Sequence, residues 1–140
     1  MAQDFLRKMV IVLRDGLASW QLTNTIGHIA AYLGNKMTEP FDTGNYFISK
    51  DGLNYPRNSQ FPIIALRAAS GDLLSLVEKL HQSKLPWIGY VQEMVDMIDD
   101  EELARSLNNK TSQEMDLLGV GIFGSKEELK QFTDGLTLWK

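Results

Sequence analysis

The chain has 140 residues, 44% hydrophobic and 23% charged, enough for one ordinary domain with its own core and no second one. It has no cysteine, which excludes disulfides, zinc–thiolate sites, iron–sulfur ligation and thiol catalysis. Its 14 basic and 18 acidic side chains give a net charge of -4 and a pI near 5.1, so no long-range field draws it to phosphate backbones.

In the opening segment, Asp4 interrupts the basic region and Met9–Leu13 is too short an apolar stretch for a signal peptide. No apolar run approaches the roughly 18 residues of a membrane helix. A soluble, cytoplasmic protein with no membrane partner is expected. Val10-Ile11-Val12-Leu13, between Arg7, Lys8, Arg14 and Asp15, reads as a strand over about 7–14, buried on both faces and ended at Gly16. From Ala18 to Leu33 the period changes, and Leu22, Ile26, Ile29 and Leu33 fall on one helical face. Asp15 or Ser19 is the expected cap at its start and a left-handed Gly34 or Asn35 its expected stop.

Residues 35–45 are rich in Asn, Thr, Gly, Asp and Pro. They lead into Tyr46-Phe47-Ile48, Lys50-Asp51-Gly52 and Leu53-Asn54-Tyr55, a hairpin inserted over about 40–58. Connections of that length often cover a functional site. Phe61–Arg67 reads as a buried strand, residues 70–83 as a helix striped by Leu73, Leu76, Val77 and Leu80, and Trp87–Val91 as the next strand after Pro86. Residues 94–114 read as a short helix, acid-rich at its start and ended by Asn108 and Asn109. Met115–Phe123 is the last expected strand, and Ser125-Lys126-Glu127-Glu128 matches a capping box opening a helix that ends before Gly135.

Gly119-Val120-Gly121-Ile122-Phe123-Gly124 has the G-x-G-x-x-G spacing of a dinucleotide site. Only 16 residues follow it, too few for the next strand and the acidic ribose ligand, so close strand packing is the better reading. Asp96, Asp99, Asp100, Glu101 and Glu102 lack the ligand order of a calcium loop and read as helix-start acids. The first helix carries Gln21, Asn24, Thr25, His28 and Tyr32 three or four apart, beside the apolar stripe. An imidazole among amides and hydroxyls suits ligand orientation or proton transfer near neutral pH, although every amphipathic helix has a solvated face. His81 reads as a surface cation at a helix end. Trp20, Tyr46, Tyr55, Trp87, Tyr90 and Trp139 read as core or as a pocket floor.

The strand Met9–Arg14, Gly27-His28-Ile29-Ala30-Ala31, the strand Ile63–Arg67, the Leu85-Pro86-Trp87 lead-in and the closing Gly119–Gly124 together resemble type II peptidyl-tRNA hydrolases in order and spacing. Leu13-Arg14-Asp15-Gly16-Leu17, Trp20-Gln21-Leu22-Thr23-Asn24 and Leu136-Thr137-Leu138-Trp139 are similar to the related domain-of-unknown-function family number two thousand. That resemblance implies a single α/β (α+β mixed) domain over 1–140, a mixed four-stranded sheet flanked by helices with the inserted hairpin, and no assigned activity. Type II hydrolases cut the ester of peptidyl-tRNA and carry a lysine where Gln21 stands, seven positions before His28. A neutral amide there gives up the charge that would meet phosphate or a developing oxyanion. The family's Asp-Ala-Gly segment is replaced by Gln92-Glu93-Met94, and His28 is the part of the polar site that carries over.

Two functions from different classes follow. One is a binding or regulatory module for a small molecule or peptide, with a pocket between the first helix and the hairpin. The other is a hydrolase of peptidyl-tRNA or of a smaller ester or amide, with His28 as acid–base group and Asn24 or Gln21 as oxyanion donor. The expected polar centre is therefore His28, Asn24 and Gln21, and the expected ligand contacts are Asp15, Trp20, Tyr46, Asp51, Tyr55, Gln92 and Glu93. No metal or cofactor is expected. The acidic charge opposes tRNA as a partner, and a homodimer through a sheet edge or Leu136–Trp139 is the third reading.

Overall fold

Met9 to Leu13 are each at most 1% exposed, so the β-branched run near the start is the axis on which every other layer is stacked. The computed structural model describes residues 3–37, 39, 41 and 46–140. β1 (Arg7–Arg14) pairs in parallel with β4 (Ile63–Ala68) and antiparallel with β6 (Leu117–Ser125). β5 (Trp87–Val91) pairs antiparallel with the far side of β6, and β7 (Thr137–Leu138) with the far side of β4. The order is β5-β6-β1-β4-β7, a sheet of five strands where four were expected. The fifth is two residues long, too short to show a strand period, and it is fixed by tertiary pairing. The Trp139 amide extends that pairing to the Ala65 carbonyl at 3.0 Å.

Alternation along β1 sends its side chains to two separate cores. Met9, Ile11 and Leu13 meet Ile29 and Leu33 of α1 (Ser19–Lys36) on one face. Val10 and Val12 meet Leu73, Leu76 and Leu80 of α2 (Ser70–His81) and Leu129 of α5 (Lys126–Thr133) on the other. The expected acidic helix is divided into α3 (Gln92–Asp96) and α4 (Asp100–Asn108), and Asp99 caps the second by accepting the Glu102 amide at 2.9 Å. The capping box at α5 is formed, Ser125 Oγ accepting the Glu128 amide at 3.1 Å and the Glu128 carboxylate accepting the Ser125 amide at 3.0 Å. No helix among the described residues is long and apolar enough to cross a membrane.

Both expected ends of α1 are corrected. Neither Asp15 nor Ser19 caps it: Ala18 is the cap position, and Gln21 Oε1 accepts the Ala18 amide at 3.1 Å. Asp15 instead lies in the turn after β1, accepting the Gly16 amide at 3.1 Å. At the other end Gly34 and Asn35 stay helical, and the helix closes at Met37, whose amide reaches the Leu33 carbonyl at 3.0 Å. The Phe41 ring, where a Gly34 Cβ would come within 3.3 Å, accounts for glycine there better than a left-handed turn does. β2 (Tyr46–Ile48) and β3 (Asn54–Pro56) form the expected hairpin, with Gly52 at φ 90 in its turn. Residues 40 and 42–45 of the expected insertion, and residue 38 ahead of it, lie outside the described residues.

The three glycines of the G-x-G-x-x-G stretch lie within β6 rather than at a phosphate-binding turn. A Cβ on Gly121 would overlap Ile29 Cγ2 and come within 2.9 Å of Leu33 Cδ1, and one on Gly119 would come within 2.9 Å of Thr25 Cγ2. α1 therefore rests on bare backbone. Gly121→Ala is expected to lower stability by about 3 kcal/mol, whereas Gly27→Ala on the exposed side of the same helix should raise it by about 0.5–1 kcal/mol. Urea titration of the two variants decides this. Thr25 is fully buried and its hydroxyl has no hydrogen-bond partner among the described residues. Thr25→Val, which keeps the shape and removes the stranded hydroxyl, should gain about 1 kcal/mol in the same titration.

Candidate functional site

With Thr25, Ile29 and Leu33 directed into the sheet, α1 turns Trp20, Thr23, Asn24, Gly27, His28 and Ala31 outward. Asn24 and His28 are one turn apart on the same face. Because β5 lies just outside β6, Tyr90 near its end comes up beside that face while remaining only 3% exposed. Its hydroxyl donates to Asn24 Oδ1 at 2.8 Å, and its ring stacks on His28 with centroids 5.1 Å apart and planes 14° apart. Burial pushes the Tyr90 phenol above its ordinary value.

Asn24 thus spends its carbonyl oxygen on Tyr90 and keeps both Nδ2 donors. Neither these donors nor the two His28 nitrogens have a hydrogen-bond partner among the described residues. They border an open depression of about 350 Å³, lined also by Thr23, Gly27 and Ala31. The Thr23 hydroxyl is turned back to the Ser19 and Trp20 carbonyls, 3.1 Å from each. The exposed edge is therefore rich in donors, and glycine and alanine leave room for a ligand to approach the helix.

Gln21 belongs to a neighbouring set. Its Nε2 donates to Gln92 Oε1 at 3.2 Å, and Gln92 Nε2 donates to Asp96 Oδ1 at 2.9 Å, tying the first turn of α1 to α3. Beside Gln92, Glu93 is 9% exposed. Its Oε1 accepts from the Lys110 ammonium, and its buried Oε2 has no partner among the described residues. That hydrogen bond, with the charges of Glu93, Asp116 and Glu114, holds the Lys110 ammonium above its ordinary value.

The other expected contacts lie elsewhere. Asp15 faces Arg67 at 3.7 Å beyond the end of β1, and Arg67 stacks over Trp139 at 4.9 Å. Trp20 is 58% exposed. Asp51 accepts from Ser49 within the hairpin turn, and Tyr55 is exposed opposite Phe47. The Tyr46 side chain is outside the described residues. No described hairpin residue lines the depression on α1. Among the described residues, no three His, Asp or Glu side chains converge as a metal site. Tyr90 is the central residue that sequence alone leaves among the general aromatics. Its contact with Asn24 spans 66 positions, and only the strand order brings it there.

A family model described as a protein of unknown function, DUF2000, matches residues 7–140. The chain belongs to the DUF2000 family. No curated protein matches it. Among solved structures it is similar to the protein of unknown function Atu0240 from Agrobacterium tumefaciens strain C58, with 19% identity and a TM-score of 0.84. The match covers 98% of this chain and 100% of that one. At this identity the likeness is one of fold, so the chemistry of this DUF2000 chain rests on its own side chains.

The raised Tyr90 pKa gives a signed expectation. The folded state favours the protonated phenol, so its contribution to stability is complete below the unfolded value near 10 and is lost as pH rises through the folded value. Tyr90→Phe should lower stability at neutral pH by about 1 kcal/mol through the lost bond to Asn24. It should also lose less stability than wild type as pH rises past about 10. Urea midpoints at the two pH values check both signs.

Proposed function

We propose that the chain is a binding module whose α1 face takes up a small, hydrogen-bond-accepting molecule or a peptide. The observation that carries this reading is the Tyr90 hydroxyl on Asn24 Oδ1 at 2.8 Å. It fixes the amide with its donors free, beside an imidazole whose ring is held by stacking. Preset donors beside a concave, partly apolar surface suit carbonyl or carboxylate groups, because the side chains lose little freedom on binding. Gln21, at the position of the hydrolase lysine, is engaged by both Ala18 and Gln92 and brings no positive charge.

The second reading, a hydrolase, is favoured by the exposed imidazole next to the Asn24 donors, a pairing that could serve as base and oxyanion donor. Against it stands the company His28 keeps: an aromatic ring contact, with no carboxylate or hydroxyl bonded to the imidazole among the described residues. Catalytic imidazoles generally need such a group to fix tautomer and direction.

Two assays separate the readings. With a blocked aminoacyl-tRNA, ester cleavage should not exceed the rate without protein, and cleavage that disappears in His28→Ala would establish the hydrolase. With an uncharged, doubly capped tripeptide, amide resonances of Asn24 and His28 should shift saturably. Asn24→Ala should weaken that binding about tenfold, as expected for losing a ligand hydrogen bond of roughly 1.4 kcal/mol. A capped peptide that leaves the α1 resonances unmoved would overturn peptide binding at this face.

A further inference from the structure

On the opposite face of the sheet, α2 and α5 pack down onto β6 in antiparallel directions, since α2 joins β4 to β5 while α5 follows the oppositely directed β6. The seam between them opens into a cavity of about 300 Å³, a size that accommodates one small ligand. Val12 and Leu76 at its base belong to the core, and Phe132 and Leu136 form its half-buried wall. The rim is charged. Asp72, Ser75 and Lys79 follow one another along the outer side of α2, and Asp134 stands at the end of α5.

None of these four side chains has a hydrogen bond or ion pair among the described residues, although the rim carries both signs of charge. The reason is spacing. Asp72 and Lys79 are seven residues apart, about 10 Å along a helix. The antiparallel arrangement places Asp134 toward the Asp72 end. The cavity therefore has two carboxylates at one end, an ammonium toward the other, and an apolar floor between them.

We propose that this cavity binds a short zwitterionic peptide, of dipeptide length, bearing an apolar side chain. The helix rise of about 10 Å between Asp72 and Lys79 sets the scale of the site, and a dipeptide, at most about 7 Å when extended, spans it with one charge-assisted contact at each end. Its ammonium meets Asp72 and Asp134, its carboxylate meets Lys79, and its side chain lies on Leu76, Phe132 and Leu136. The Ser75 hydroxyl, midway along the rim, is placed for the peptide amide. This site is independent of the α1 face and stands or falls separately from it.

The test is an amide-resonance titration of the whole chain with leucylglycine, its N-acetyl form and its C-terminal amide. Leucylglycine should produce saturable shifts at Ser75, Lys79, Gly135 and Leu136 whose midpoint is the same in wild type and in Asn24→Ala. Each blocked form, having lost one charge, should bind about tenfold more weakly. Lys79→Gln, an exposed substitution that leaves the fold intact, should weaken leucylglycine about tenfold and leave the amide form's affinity unchanged. Equal affinity for all three forms would reduce the seam to an apolar crevice and overturn the charge assignment. Absence of saturable shifts at the α2–α5 seam would overturn the site itself.

Discussion

Thr25, Ile29 and Leu33 occupy the space that side chains on Gly119 and Gly121 would fill, and the height of α1 above the sheet follows from that contact. Interiors are packed without room for an extra methyl group, so a helix meeting a strand with side chains would have to rise or slide. Sitting low over β6, α1 brings Asn24 and His28 within reach of Tyr90 on the adjacent strand. The same contact directs the apolar stripe inward and leaves the donor-bearing edge exposed. Packing and site geometry thus share one cause in the glycines of β6.

The sheet separates two unlike surfaces. On the α1 side, an amide and an imidazole are held by a buried tyrosine. On the α2 side, two helices rest on the sheet without closing the seam between them, and charged side chains border an apolar floor. Carboxylates and a lysine line the second opening, amide, hydroxyl and imidazole groups the first, and both openings lie over a well-packed core. The overall acidity of the chain adds no long-range attraction for anions at either surface.

Elements whose signal is local were legible in the sequence. β1 is a β-branched run bounded by charges, the period of α1 places Ile29 and Leu33 in the core, and Ser125 with Glu128 marks the start of α5. The tight packing expected for Gly119, Gly121 and Gly124 was likewise readable, because too little chain follows for a dinucleotide fold. Features set by tertiary contact were not. β7 has two residues and exists through pairing with β4, and Gln21 caps α1 because Asp15 is committed to its own turn. Of the polar centre, the shared face of Asn24 and His28 follows from helical spacing. Its connection to Tyr90 depends on β5 lying beside β6, which no local pattern specifies. Grouping Asp51 and Tyr55 with the helix required a course for the hairpin that residue types alone do not determine.

The most direct test of the α1–β6 contact is a double-mutant cycle joining Gly121→Ala and Ile29→Ala, read by equilibrium urea unfolding. If Ile29 occupies the place of the missing Cβ, Gly121→Ala should lower stability by about 3 kcal/mol in wild type and by less than about 1 kcal/mol once Ile29 is shortened. That is a coupling of at least about 2 kcal/mol. Costs that simply add would contradict the close seating of α1 on bare strand backbone and remove the common origin of the packing and the site.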